Sequence, residues 1–296
     1  MDLVQVGFNL LALGAAYALV ALGFVLILNA TGAVNFAQGD LVMVGGFAAV
    51  TFAGMTDLPG IVLLPLVMAA LALLGVAVAV LAYLPLRRRP PESVFISTIA
   101  VGIIAQNAAT LIYGAQSRAA PPLLPGGDGP VQKIAIIALA ALLIGLLWGM
   151  FMHTQTGRRL RATAQDRDMA AAIGIKVDAM VVATFAVGIA LAGTAGLLLA
   201  NLFFVTPVDG ANYILKAYIA VTIGGWGSIQ GAVAGALLIA AFEVLWPSIP
   251  LLIPALEPLG GAFSQTMSSV ALDAVILLVL LLRPQGLFGE AVRVRP

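Results

Sequence analysis

Side chains able to do chemistry are scarce in this sequence, so their positions carry most of the information. One histidine, His153, and no cysteine are present. Thiol catalysis, disulfides and thiolate metal sites are therefore excluded, and a lone histidine without a carboxylate cluster reads as a boundary residue rather than a metal ligand. No metal site is expected. Three charges, Lys216, Glu243 and Asp273, fall inside apolar runs. An ionisable group at membrane depth is costly and is usually paired or faces water. Two readings stand: gates or a proton relay, and structural pairing of Lys216 with Glu243 or Asp273, which is favoured. The amides Asn35, Gln38, Gln106, Asn107 and Gln230, with Gly39, Gly224 and Gly225, are the candidate lining of a translocation pathway. Their alternative is hydrogen bonding between helices.

The densest concentration of charge is residues 153–178, with five cations (Arg158, Arg159, Arg161, Arg167, Lys176) and three acids (Asp166, Asp168, Asp178). Apolar runs long enough to cross a bilayer flank it on both sides. Such a segment must protrude into water, and its excess of Arg and Lys places it in the cytoplasm. From Arg159 to Ile173 there is no Gly or Pro, which predicts one short helix, with Gly174 at its C-terminal cap. Ala162, Met169 and Ile173 fall on one face at helical spacing, and Arg159, Asp166 and Arg167 point elsewhere. That face suits a groove on a soluble partner. A helix lying on anionic headgroups is the alternative, and the three acids weigh against it.

The elements that position these residues follow from composition. The 296 residues are 62 % hydrophobic and 9 % charged, with a mean hydropathy of +1.11. Soluble domains carry about 25 % charged residues, so this is a polytopic membrane protein, read as one transmembrane domain over 1–296. The net charge of +1 gives no basic patch for nucleic acid. The N-terminal segment lacks a positive n-region and reads as a retained span. Spans are expected at about 3–28, 61–84, 93–113, 134–152, 179–201 and 266–282. A shorter segment at 41–54, opened by polar residues and glycine, reads as broken or re-entrant.

Most of the fourteen basic residues fall in three clusters, 87–89, 158–176 and 283–295. If all three are cytoplasmic, an even number of crossings separates any two. Residues 211–246 must then cross twice, with the break at Gly224-Gly-Trp-Gly-Ser228, because one helix would be about 50 Å long at ~1.5 Å per residue. The first arm is short enough to be a half-helix. The architecture is an all-α bundle of about eight or nine crossings, N-terminus outside and C-terminus inside. The spacings Gly188-x-x-x-Ala192 and Gly231-x-x-x-Gly235 read as close-packing faces.

Four patches make the sequence resemble the membrane permeases of bacterial ATP-binding-cassette importers for branched-chain amino acids, in particular the shorter of their two permease types. They are Asn35-Phe-Ala-Gln-Gly-Asp40, Gly157-Arg-Arg-Leu-Arg-Ala-Thr-Ala-Gln-Asp-Arg-Asp168 with Ala171-Ala-Ile-Gly-Ile175, Gly224-Gly-Trp-Gly-Ser-Ile-Gln-Gly231, and Arg283-Pro-Gln-Gly-Leu-Phe-Gly289. The resemblance implies an inner-membrane pore subunit that is not itself an enzyme and binds no cofactor. Two partner ATPases would bind the ATP and magnesium. A second permease and a periplasmic binding protein would complete the assembly in the bilayer. It also implies that 153–178 is the coupling loop, with Arg159, Arg161, Ala162, Gln165, Asp166, Arg167, Asp168, Met169, Ala170, Ile173 and Gly174 facing the ATPase. Asp168 stands for the usual glutamate of the coupling motif, unless the register shifts by one. No G-x-x-x-x-G-K-[ST] loop occurs, in keeping with ATP being bound elsewhere. A permease for urea or short amides would read similarly, and an ion-coupled transporter is the further alternative, though it has no need of a docking loop.

Overall fold

A computed structural model describes residues 3–127, 129–252, 258 and 261–282. The described chain is a helical bundle. Its elements are α1 (Leu3–Thr31), α2 (Gln38–Thr56), α3 (Gly60–Val78, continued by a π turn, Ala79–Tyr83), α4 (Pro91–Tyr113) and α5 (Gly129–His153). Two short helices follow, α6 (Gln155–Gln165) and α7 (Arg167–Ala172), then α8 (Val177–Leu202), α9 (Gly210–Gly224), α10 (Ile229–Leu245), α11 (Ile249–Leu252) and α12 (Gln265–Leu282). Seven helices among the described residues are long and apolar enough to cross a membrane. α12 contains a further, shorter apolar stretch and α9 is a 15-residue helix, so the crossings number about eight or nine.

Helices that are apolar all round belong in a protein interior or in lipid, and here both destinations are used. α1 and α8 form the centre, with 83 % and 78 % of an apolar 18-residue stretch of each buried, whereas α4 has only 17 %. α1 packs chiefly on α10 and α8, and α8 also carries α2 and α3. Small residues permit these approaches. A side chain at Gly188 would sit 2.8 Å from the Gly23 carbonyl of α1, and one at Gly75 would sit 2.6 Å from the Phe185 carbonyl of α8. Gly231 and Gly235 of α10 abut Gly224 and Ala220 of α9 in the same way, so the small-residue spacings are packing faces, as expected. Without a hydrophobic force between helices in lipid, such van der Waals contact is what holds a membrane bundle together.

The expected break between α9 and α10 is present. Gly225 and Gly227 adopt φ of +100° and +83°, a region open to glycine, and the Ser228 hydroxyl caps α10 by accepting the Gly231 N–H at 3.0 Å. The interruption expected at 41–54 lies instead before the helix: Gln38–Thr56 is continuous. Its first turn begins deep in the bundle, where Gln38 reaches Gly188 in the interior of α8.

The loops sort onto two faces. On one, Gly60 and Ile61 donate to the carbonyls of Pro122 and Leu123, and Arg118 pairs with Val205 through two backbone hydrogen bonds of 3.0 and 2.8 Å. On the other, Asn29 donates to the Gly227 carbonyl at 2.9 Å and Arg87 forms an ion pair with Asp178. The basic clusters 87–89 and 158–176 therefore share a face, as the parity argument requires. The third cluster and the patch 283–289 lie outside the described residues.

Candidate coupling loop and solute pathway

α6 grows directly from the end of α5. Thr154 leaves helical geometry and its hydroxyl accepts the Gly157 N–H at 3.0 Å, an N-cap of the usual kind. Leu160 and Thr163 are buried beneath α6, and the Arg161 guanidinium is hydrogen-bonded to the Phe151 carbonyl. A side chain at Gly157 would strike the backbone of Met150 and Phe151. α6 is thus a pedestal fixed to the bundle.

The single helix expected over 159–173 is two helices. Asp166 is extended (φ −155°, ψ 113°), and its carboxylate accepts the N–H groups of Asp168 and Met169, both at 2.9 Å. An aspartate side chain offers the backbone a local alternative to helix, and here that alternative prevails. α7 then ends where expected, at Gly174 with φ +84°.

This break divides the predicted docking residues. Arg159, Gln165, Asp166, Asp168 and Gly174 are exposed, as are the apolar Met169 (64 %) and Ile173 (72 %). Arg161, Ala162 and Arg167 are half-buried and Ala170 is buried. Arg167 faces inward and donates to the Tyr83 hydroxyl at 3.2 Å, and Tyr83 packs against Phe185 of α8. Arg161, Arg167 and Ala170 thus face the bundle at least in part, whereas Met169 and Ile173 are held outward. Ala162 and Met169, expected on one helical face, lie on separate helices, α6 and α7.

The candidate pathway residues do not form one lining. Asn35 and Gln38 are buried. Asn35 accepts the Ala37 N–H at 3.2 Å and donates to Gln38, which donates in turn to the Gly188 carbonyl at 3.3 Å. These amides satisfy an irregular link at membrane depth, where unpaired backbone is costly. Gly39 lies against the Gly210 carbonyl and Ile214 of α9, so it is a packing site. Gln106 donates to Asp40 at 2.7 Å, while the neighbouring Asn107 is exposed and bonds only to its own helix, to the Ile103 carbonyl. Gly224 and Gly225 form the elbow between α9 and α10. Gln230 lines a separate groove of about 740 Å³ on the coupling-loop face, with Trp148, Phe151, Arg161 and Val233.

Lys216 and Glu243 form the favoured ion pair, Nζ to Oε1 at 2.7 Å. Asp273 is exposed on α12 and takes no part in it. Tyr17 of α1 completes a triangle, accepting from Lys216 at 2.7 Å and donating to Glu243 Oε2 at 2.9 Å. Sequence reasoning missed Tyr17 and Tyr83, because a phenol in an apolar run gives no sign of where its hydroxyl points. It also missed Asp40 as a buried charge. The signal there was an acid in the first turn of a helix, where the N-terminal dipole favours a carboxylate.

Over residues 7–282 the sequence matches the family described as the permease component of the branched-chain amino acid transport system. It is 30 % identical over 302 residues to the high-affinity branched-chain amino acid transport system permease protein BraD of Pseudomonas aeruginosa, covering 95 % of this chain and 94 % of that one. It is also 30 % identical over 304 residues to the corresponding permease protein LivH of Escherichia coli K12, covering 96 % and 94 %. A solved structure, PsaBC from Streptococcus pneumoniae in complex with Fab, matches with a TM-score of 0.51 at 12 % identity, over 94 % of this chain and 91 % of that one, which is a likeness of fold alone. With the family match running from α1 to the end of α12, the chain belongs to the branched-chain amino acid transport permease family.

Proposed function

We propose that this permease forms part of an ATP-driven importer of branched-chain amino acids, that α6 and α7 face the cytoplasm, and that α7 seats in a groove on a partner ATPase. The observation that carries the docking is the exposed Met169–Ile173 face on a one-and-a-half-turn helix whose opposite side is fastened by Asp166, Arg167 and Ala170. An apolar pair held out on a rigid support suits helix-in-groove recognition, and fixing it beforehand lowers the entropy cost of binding. The relatives named above are amino acid permeases, which supports the substrate class. The assembly would comprise two ATPases that bind ATP and magnesium, a second permease subunit and a periplasmic binding protein. The N-terminus would then face the periplasm and the C-terminus the cytoplasm.

The test is capture of the partner ATPase by the full-length permease, with ATP-dependent uptake of labelled leucine into vesicles. Met169→Asp with Ile173→Asp should abolish both capture and uptake while the permease still reaches the membrane. Normal capture and uptake by that variant, or uptake that continues without the ATPase and collapses with an uncoupler, would refute the proposal.

A further inference from the structure

On the face that carries the Arg118–Val205 pair, a cavity of about 720 Å³ enters the bundle between the start of α1, the start of α9 and the end of α10. Phe203, Phe204 and Leu13 contribute apolar wall, Asn9 and Asn212 contribute amides, Lys133 and Asp209 add one charge of each sign, and the Lys216–Glu243–Tyr17 triangle also lines it. A cavity that is mostly apolar with a few convergent polar groups is the usual form of a small-ligand site.

The triangle is built at some cost. The Glu243 side chain is 4 % exposed and Tyr17 is 5 % exposed, and a buried ion pair can often be replaced by apolar residues with no loss of stability. Its hydrogen bonding among the described residues is also incomplete. A lysine ammonium has three donors, and Lys216 spends one on Glu243 and one on Tyr17. Each Glu243 oxygen accepts one bond and keeps a second acceptor site. The Asn9 and Asn212 side chains make no hydrogen bond among the described residues. Among the described residues, one Lys216 N–H and one acceptor position on each Glu243 oxygen have no protein partner, the complement of a ligand that carries an acid oxygen next to a primary ammonium.

The geometry points to a binding site in this cavity for a small zwitterion with an apolar side chain: its acid group takes the third N–H of Lys216, its ammonium donates to Glu243, and Asn9 and Asn212 complete the ring. A free α-amino acid and the headgroup of phosphatidylethanolamine share that chemistry. The occupant is the free amino acid, an assignment that rests on the proposed substrate class.

The test is equilibrium binding of labelled leucine to the full chain in discs of phosphatidylcholine, whose quaternary ammonium cannot donate to Glu243. Saturable binding is expected. Neither 4-methylpentanoate, which lacks the ammonium, nor 3-methylbutylamine, which lacks the acid, should displace it. Asn9→Leu with Asn212→Leu leaves the triangle intact and should weaken binding by about tenfold or more, the scale of one lost hydrogen bond to a charged group, with the thermal midpoint near that of the unaltered chain. Lys216→Met with Glu243→Gln should abolish binding. No saturable binding, displacement by either half-ligand, or full affinity in the double asparagine variant would overturn the site. Loss of leucine binding when phosphatidylethanolamine is added to the discs would show a lipid as occupant and overturn the solute assignment. None of these readouts involves the ATPase, so they are separate from failure of capture or ATP-driven uptake, which would bear on the docking proposal alone.

Discussion

The cap at Asp166 can be tested by itself. α7 has six residues, too few for helix propensity to hold it, since isolated helices below about 12–15 residues are marginal. Two of its leading N–H groups are taken by the Asp166 carboxylate at 2.9 Å. Replacing an N-cap aspartate by alanine costs about 1 kcal/mol, within a range of roughly 0.5–2, and 1 kcal/mol is about a fivefold change in an equilibrium. In Asp166→Ala, amide hydrogen exchange across residues 168–173 should therefore speed up by about fivefold, while the amides of α6 stay as they are. Asp166→Asn keeps the acceptor and loses the charge, so its exchange should fall between the two, because asparagine caps about as well as aspartate while the carboxylate adds ~0.3–1 kcal/mol against the helix dipole. Unchanged exchange in the alanine variant would show that the carboxylate does not hold α7. Equal acceleration in both variants would show that charge, rather than the hydrogen bonds, is what matters.

Three further outcomes follow from packing and pairing. Lys216→Met leaves the Glu243 carboxylate buried with only Tyr17, and should destabilise by about 3–5 kcal/mol; Lys216→Met with Glu243→Gln should recover most of that, as read from thermal midpoints of the purified chain. Gly39→Ala puts a methyl against the Gly210 carbonyl and should cost about 1–3 kcal/mol as overpacking, seen as a lower midpoint or lower membrane yield. Gln106→Leu removes the side-chain donor of the buried Asp40 and should cost about 1–3 kcal/mol, whereas Asn107→Leu, at an exposed neighbour bonded only to its own helix, should leave the midpoint within about 0.5 kcal/mol.

Much of the frame was legible because the bilayer leaves few choices. About twenty apolar residues make a span, and basic loops share a face. Together they gave the spans, the α9–α10 elbow at Gly224–Ser228 and the common face of Arg87 and Asp178. What hydropathy did not distinguish is lipid from protein interior. α1 and α4 are both spans, yet one is the centre of the bundle and the other lies almost bare, because either environment accepts an apolar side chain. Polar residues misled for a related reason. Asn35 and Gln38 read as pathway lining, but in an irregular link the backbone itself needs partners, and these amides supply them. The division of α6 from α7 was hidden because Ala, Arg, Gln and Met all favour helix, and a single carboxylate turned back on its own backbone overrides that sum.

α9 has 15 residues, about 22 Å of helix at ~1.5 Å per residue, set in a hydrocarbon layer of roughly 30 Å. The missing length is made up by the coil at 203–209, whose polar backbone is satisfied within the protein: Val205 bonds to Arg118 and Thr206 N–H to the Asp209 carboxylate at 2.6 Å. The short helix is thereby tied to the rest of the bundle through its entry coil rather than through added turns.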